Sequence, residues 1–201
     1  MVKDSWFEDN GAAANGGAIH LRGDLPAATF DIQGTVFARN AALVNGGAVY
    51  ASRFTGFLDG SIANGVFAFN VAGTTGSAIY TTADTVDLGF STLVGNEGGS
   101  TVATGSSTWV AAHHLAFQDN VGSWDLYLVD PSSTEAYNDY WSVDASGSST
   151  GGSTTDLAVD GGFAYYDPTD DSGFDLRLRW DSALIDAGGG ILLDPDGSDA
   201  D

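Results

Sequence analysis

Residues 37–49 of this 201-residue chain read FARNAALVNGGAV, and they contain both motifs that decide the fold. The first motif is an apolar residue, two variable residues and an Asn. The second is Gly-Gly or Gly-Ser, followed by Ala and then Ile or Val. The linked pair also begins at Phe7 and at Phe67, and the first motif returns at Leu93 and Phe117, so that successive copies are 30, 30, 26 and 24 residues apart. Self-similarity at such a period is the signature of a repeat protein.

The repeats predict an all-β fold. Helical repeats need apolar residues at a spacing of 3.6 and few glycines, whereas this chain has 28 Gly. Between the motifs, apolar and polar residues alternate, as in Phe30-Asp31-Ile32 and Val86-Asp87-Leu88. Short alternating strands at this period predict a parallel β-solenoid, or β-helix, of about five to seven coils, in which equivalent residues stack at roughly 4.8 Å.

Stacking of the coils predicts two ladders of equivalent side chains. The apolar residues of the first motif should point inward and form a core ladder, while the Asn residues should sit at a turn. There, Asn tolerates the left-handed conformation, and its side-chain amide can hydrogen-bond along the axis. The core ladder is Phe7, Phe37, Phe67, Leu93 and Phe117, and the amide ladder is Asn10, Asn40, Asn70, Asn96 and Asn120.

The second motif predicts a surface feature. Ile19, Val49 and Ile79 should point inward, and the residues that follow them should then point outward and stack on consecutive coils. Those residues are His20, Tyr50 and Tyr80. An exposed aromatic strip of this kind can bind sugar rings or a protein partner, unless a loop covers it and makes it part of the core.

The motif pair resembles the repeats of the polymorphic outer-membrane protein family. The resemblance covers residues 7–80 well and fades through 93–120, where the Gly-Gly-Ala-Ile element is missing. It implies a right-handed parallel β-helix in a secreted or surface-exposed protein, and several members of that family are adhesins.

The C-terminal third resembles the closing segments of secreted bacterial β-helix proteins related in fold to pectate lyases. The residues that carry this resemblance are Tyr137-Asn138-Asp139-Tyr140-Trp141 and Ser182-Ala183-Leu184-Ile185-Asp186-Ala187-Gly188. We therefore expect β-helix coils over 1–145, a Gly/Ser/Thr-rich surface loop over 146–155, and a closing coil with an acidic tail over 156–201. Both ends look cut, so we expect the chain to be the C-terminal β-helical part of a larger exported protein.

Charge and apolar runs limit the partners and the location. The chain has 27 Asp and Glu against 6 Lys and Arg, a formal net charge of −21, which argues against nucleic acid as a partner. No apolar run reaches the length of a membrane helix, so we expect no membrane span in this chain. The expected location is extracellular or at the cell surface. The absence of Cys removes thiolate chemistry and disulfides.

The same resemblance raises an enzymatic alternative. Polysaccharide lyases of this fold use Ca²⁺ with a Lys or Arg base, and Arg22 and Arg53 could face solvent after the Gly-Gly strands. No acidic cluster stands at matching offsets in those coils. Hydrolases need two or three carboxylates on one strand face, and Asp9 and Asp119 lie four coils apart. His113-His114 are adjacent strand residues that should face opposite sides, which favours a structural role. The sequence predicts no catalytic residues.

Two acidic segments are candidate calcium sites. Residues 194–201 place four carboxylates around a Gly turn, and Ca²⁺ prefers six to eight oxygen ligands from such loops. The ligands would be Asp194, Asp196, Asp199 and Asp201. A weaker candidate is the segment Asp167-Pro168-Thr169-Asp170-Asp171. Calcium is thus a possible cofactor, and an acidic tail without metal is the alternative.

The sequence as a whole predicts a non-catalytic β-helix domain of the adhesin or passenger type. Its partners would be carbohydrate or a protein on a host or neighbouring cell, bound by His20, Tyr50 and Tyr80. Two alternatives stay open: a polysaccharide lyase or hydrolase, and a filament subunit that associates end to end.

Overall fold

The computed structural model describes residues 1–24, 26–142, 147–167 and 173–185. These residues contain strands and no helix, and the strands form a parallel β-solenoid of about five turns. The predicted all-β parallel solenoid is thereby confirmed. The coil-to-coil pairing follows the period of the sequence, because Val36 pairs with Val66 and Val66 pairs with Thr92.

The first three coils contain four strands each, and the later coils fuse the first two of them into one. Coil 1 contains β1 (Val2–Lys3), β2 (Trp6–Glu8), β3 (Gly11–Ala12) and β4 (Ile19–Gly23). Coil 2 contains β5 (Ala27–Gln33), β6 (Val36–Ala38), β7 (Ala41–Ala42) and β8 (Val49–Arg53). Coil 3 contains β9 (Phe57–Ala63), β10 (Val66–Ala68), β11 (Val71–Ala72) and β12 (Ile79–Thr82).

The later coils are shorter. Coil 4 contains β13 (Thr85–Val94) and β14 (Ser100–Thr104), and coil 5 contains β15 (Trp109–Gln118) and β16 (Trp124–Tyr127). The last coil begins with β17 (Thr134–Ala136) and β18 (Asp139–Trp141). Beyond it lie β19 (Phe163–Tyr165) and β20 (Asp175–Leu178). Stacking gives one large sheet built around β13 and β15, a sheet β3-β7-β11, and a sheet β4-β8-β12-β14-β16.

The core ladder runs through the large sheet. The Phe7 and Phe37 rings stack with centroids 5.2 Å apart, and Phe37 and Phe67 stack at 4.9 Å. The register continues from Phe67 to Leu93 and then to Phe117. Phe37, Phe67, Leu93 and Phe117 are completely buried. Tyr140 forms a further rung, stacked on Phe117 at 5.2 Å, which the sequence motif did not reveal.

The amide ladder forms a continuous hydrogen-bonded chain. The Nδ2 group of Asn70 donates to Oδ1 of Asn96 at 3.0 Å and to the backbone carbonyl of Phe37 at 3.0 Å. The Oδ1 atom of Asn70 accepts from the backbone N–H and from Nδ2 of Asn40, each at 3.0 Å. The same pattern recurs at Asn40 and Asn96, so these buried amides use both of their donors and their acceptor.

The left-handed residue at this turn is not the Asn, and the prediction on this point was wrong. The residue before each Asn has the positive φ: Asp9, Arg39, Phe69, Gly95 and Asp119 have φ of 51° to 59°. The Asn instead adopts ordinary backbone angles, so its value at this position lies in its amide. A short side chain with one acceptor and two donors can link three coils, and a backbone preference does not explain the ladder.

The C-terminal part first continues the stack and then packs on the side of the solenoid. In the expected loop, Ser148 is 6% exposed and pairs with Leu126 as a parallel bridge, so this segment continues the stack. The described part of the expected closing coil differs from a stacked coil. There, β19 and β20 form an antiparallel pair, here called the C-terminal hairpin, and Phe163 packs with Ala68 and Val94 of the large sheet.

Candidate binding surface

The strip formed by His20, Tyr50 and Tyr80 lies on the sheet β4-β8-β12. His20 is in register with Tyr50, and Tyr50 with Tyr80. The His20 ring meets the Tyr50 ring edge-on at 4.8 Å, and the two Tyr rings stack at 5.5 Å with an interplanar angle of 8°. His20 is exposed, and both Tyr side chains are half-buried. The three rings therefore form one row along the axis that solvent still reaches.

The glycine pairs before each strand position the strip. Gly16, Gly46 and Gly76 have φ of 66° to 69°, which glycine adopts without strain. The next glycine, Gly17, lies against backbone atoms of coil 2, where a Cβ would clash with the carbonyl oxygen of Gly47. Coils can thus approach closely at this corner, and Ile19, Val49 and Ile79 follow as buried residues at 9%, 0% and 1% exposure.

The spacing of the rings limits how a ligand can bind. Inserting a sugar ring between two aromatic rings would need about 7–8 Å, because each ring contact takes roughly 3.5–4 Å. The Tyr50 and Tyr80 centroids are 5.5 Å apart, so a ligand must lie across the outside of the strip. Burial, and secondly the neighbouring Tyr50, raises the pKa of Tyr80. The Tyr80 hydroxyl therefore stays a neutral hydrogen-bonding group at physiological pH.

The strip ends at Tyr80 in coil 3. Tyr80 is in register with Ala103, and Ala103 with Tyr127, which is 40% exposed. The strip therefore covers the three coils with linked motifs, and a single aromatic follows after a gap of one coil.

The Arg residues that flank the strip are engaged with carboxylates. Arg22 contacts Asp24 at 2.8 Å and lies over the Phe54 ring at 3.7 Å. Arg53 forms an ion pair with Asp84. Over the described ranges, no group of three or more His, Asp or Glu side chains lies close enough to hold a metal ion. The four predicted calcium ligands Asp194, Asp196, Asp199 and Asp201 lie outside the described residues, as do Asp170 and Asp171 of the second candidate segment.

The prediction that His113 and His114 face opposite sides was wrong. Their Nδ1 atoms are 3.1 Å apart, and Nε2 of His113 lies 3.0 Å from Oδ1 of Asp87. His114 has a φ of 53°, which interrupts the alternation of the strand and turns both rings to one side. The same corner has positive φ at Phe90 and Tyr137, and their rings stack on His114 at 4.6 and 5.3 Å. In the earlier coils Asp4, Gly34 and Asn64 occupy this bend, and these residue types adopt a positive φ readily, whereas Phe90 and Tyr137 give no such signal.

Two buried acids lie at the C-terminal end of the amide ladder. Asp125 is 1% exposed, and its Oδ1 accepts from Nδ2 of Asn120 at 3.2 Å and from the hydroxyl of Ser142 at 2.7 Å. Its second oxygen has no hydrogen-bond partner. Asp139 is 4% exposed and accepts from the backbone N–H of Val159 at 2.9 Å. Burial, reinforced by a neighbouring acid in each case, raises the pKa of Asp125 and of Asp139 to about 6.

These acids predict that stability falls as the pH rises. A carboxyl group with a raised pKa binds its proton more tightly in the folded state, so its contribution is present below pH 4 and is lost as the pH rises through about 6. A shift of two units corresponds to about 3 kcal/mol for Asp125. We expect the melting temperature to fall between pH 4 and pH 7, and the variant Asp125→Asn to flatten that slope. Asp59→Asn, which removes an exposed charge, is the control. An unchanged slope in Asp125→Asn would contradict the assignment.

Comparison with known proteins gives a local match. Residues 7–22 match the model of the Chlamydia polymorphic membrane protein (Chlamydia_PMP) repeat. No curated protein and no solved structure matches the chain. The match covers the first linked motif pair and the start of the strip at His20. The chain is thus a β-helix repeat protein that resembles these repeats, and the repeat and the fold together indicate a surface-exposed protein. None of the described segments forms a helix able to span a membrane.

Proposed function

We propose that this chain is a non-catalytic binding domain of the adhesin or passenger type, displayed outside the cell, and that it binds carbohydrate through the strip His20–Tyr50–Tyr80. The observation that carries this proposal is the row of three rings in register on one sheet. A polymer that lies along the solenoid axis would meet similar chemistry at each coil. Such repeated contacts raise the overall affinity without a deep pocket.

The charge of the protein favours a neutral or cationic glycan. At −21, the surface repels a polyanion unless divalent cations bridge the two. The strip itself offers aromatic surface, two phenol groups and one imidazole, which suit the apolar faces and hydroxyls of a sugar. A protein on a neighbouring cell is the other partner class that these groups fit.

A glycan array tests this proposal. We expect the protein to bind a subset of neutral or amino-sugar glycans, and we expect sodium chloride to weaken this binding little. The array should be run with Ca²⁺ and with EDTA, since calcium bound by the acidic C-terminal segment is also a proposal. Lack of binding to every glycan in both conditions would contradict the carbohydrate assignment.

The non-catalytic part of the proposal has its own test. General acid–base cleavage needs a base of suitable pKa beside an acid or a metal. Near the strip, Arg22 and Arg53 are each paired with a single carboxylate. We expect no ultraviolet-absorbing unsaturated sugars after incubation with pectin or alginate, with or without Ca²⁺. Appearance of such products would establish a lyase and overturn this part.

A further inference from the structure

The pair His113–His114 lies where the solenoid meets the C-terminal hairpin. His114 lines a cleft together with Phe90 of coil 4 and with Phe163, Leu176 and Leu178 of the hairpin. His113 lies over Gly89, where a Cβ would clash with the imidazole ring. Its side chain is 31% exposed, and that of Asp87 is 62% exposed. The pair therefore connects a solvent-exposed carboxylate to the cleft between the solenoid and the hairpin.

The hydrogen bonds of this group allow one extra proton but not two. With neutral rings, Nε2–H of His113 donates to Asp87, so Nδ1 of His113 must accept from Nδ1–H of His114. One added proton leaves this arrangement in place, because the imidazolium is still joined to a neutral ring and to a carboxylate. A second proton places an N–H against an N–H at 3.1 Å, and the bond between the rings is lost.

We propose that Asp87, His113 and His114 form a pH-sensitive contact that keeps the C-terminal hairpin docked at neutral pH and releases it when both imidazoles are protonated. The charged second ring would repel its neighbour, whose Nδ1 lies 3.1 Å away, and would move away from the apolar side chains Phe163, Leu176 and Leu178 of the cleft. His114 would then turn towards solvent, and the cleft beside the hairpin would lose one of its lining side chains. This inference is independent of the proposed carbohydrate binding.

The surroundings of the pair agree with this role. Burial, and secondly the charge of His113, lowers the pKa of His114. The charged group that faces the pair from β13 is Asp87, and Tyr137 stacks on His114 from the following coil. On the hairpin, Asp175 and Arg177 are paired with each other. Among the described groups, Asp87 is the carboxylate that hydrogen-bonds to the pair.

Hydrogen exchange of the whole chain tests the contact. Protection factors for peptides covering Phe163–Tyr165 and Asp175–Leu178 are compared at pH 7.5 and pH 5. If the released state binds one more proton, protection should fall about tenfold for each pH unit below the second protonation step. In Asp87→Asn, which keeps both rings, the fall should begin at a lower pH. The solenoid strands should keep their protection, because protonation of the buried Asp125 and Asp139 stabilises the folded solenoid.

A matched variant distinguishes the effect of the His113–His114 pair on hairpin protection from the effects of other titrating groups. His114→Asn preserves the backbone, since Asn64 adopts a φ of 53° at the same corner of coil 3, and it should remove the pH dependence of hairpin protection. His20→Asn should leave it intact. Equal protection at both pH values in the wild type, or a fall that persists in His114→Asn, would overturn the proposal. The hairpin of His114→Asn could be undocked at every pH. In that case, the proposal would be overturned if the protection of the hairpin in Asp87→Asn began to fall at the same pH as in the wild type.

Discussion

Replacing Phe37 with Ala should lower the free energy of unfolding by about 3–5 kcal/mol, the usual cost of truncating a fully buried Phe. Phe37 is 0% exposed and stacks between Phe7 and Phe67, at 5.2 and 4.9 Å. The backbone of a solenoid coil is held by its neighbours on both sides, so the cavity should collapse little. Chemical denaturation measures this loss, provided that the transition is two-state.

The end of the same ladder supplies the control. Phe7 is half-exposed and stacks on one ring only. Phe7→Ala should therefore cost less than half as much as Phe37→Ala. Equal losses for the two variants would contradict the stacking of the coils.

Replacing Asn70 with Ala is the second substitution with a large expected effect. It leaves the backbone N–H and one side-chain N–H of Asn40 without their acceptor, both inside the solenoid. Each unsatisfied buried group costs about 1–3 kcal/mol. We expect a total loss of about 2–6 kcal/mol by the same principle, measured as a shift of the denaturation midpoint.

The exposed end of the amide ladder again gives a comparison. Asn10 is exposed, and its side chain makes one hydrogen bond, in which Nδ2 donates to Asn40 at 2.9 Å. Asn10→Ala should cost under 1 kcal/mol, the net value of one solvent-exposed hydrogen bond. If Asn70→Ala were as mild as Asn10→Ala, the amide ladder would contribute little to stability.

The sequence was sufficient to predict the parts of the fold that repeat. Stacked coils bring equivalent residues together, so the period of the two motifs identifies which side chains meet. The stacking of Phe37 on Phe67 and of Tyr50 on Tyr80 follows from a spacing of 30 residues alone. Alternation along the strand then places Val49 inside and Tyr50 outside.

Features that depend on a local bend or on non-repeating contacts were not predictable in this way. The corner at His114 keeps its positive φ at Phe90 and Tyr137, whose residue types do not favour it, so the contact between His113 and His114 could not be foreseen. Packing of the hairpin on Ala68 and Val94 depends on apolar residues that also suit a stacked coil. The raised pKa of Asp125 arises from burial at the end of a ladder, and composition carries no signal for it.

Carbohydrate binding by the strip is tested by the affinity for a glycan selected on the array, compared between the wild type and the double variant Tyr50→Ser/Tyr80→Ser. Loss of this half-buried stacked pair should cost about 1–2 kcal/mol of stability, so the melting temperature should fall by only a few degrees. Tyr165→Ser, which removes an exposed ring from the hairpin, should bind like the wild type. We expect the double variant to fold and to lose at least tenfold in affinity. Wild-type affinity in the folded double variant would contradict binding by the strip.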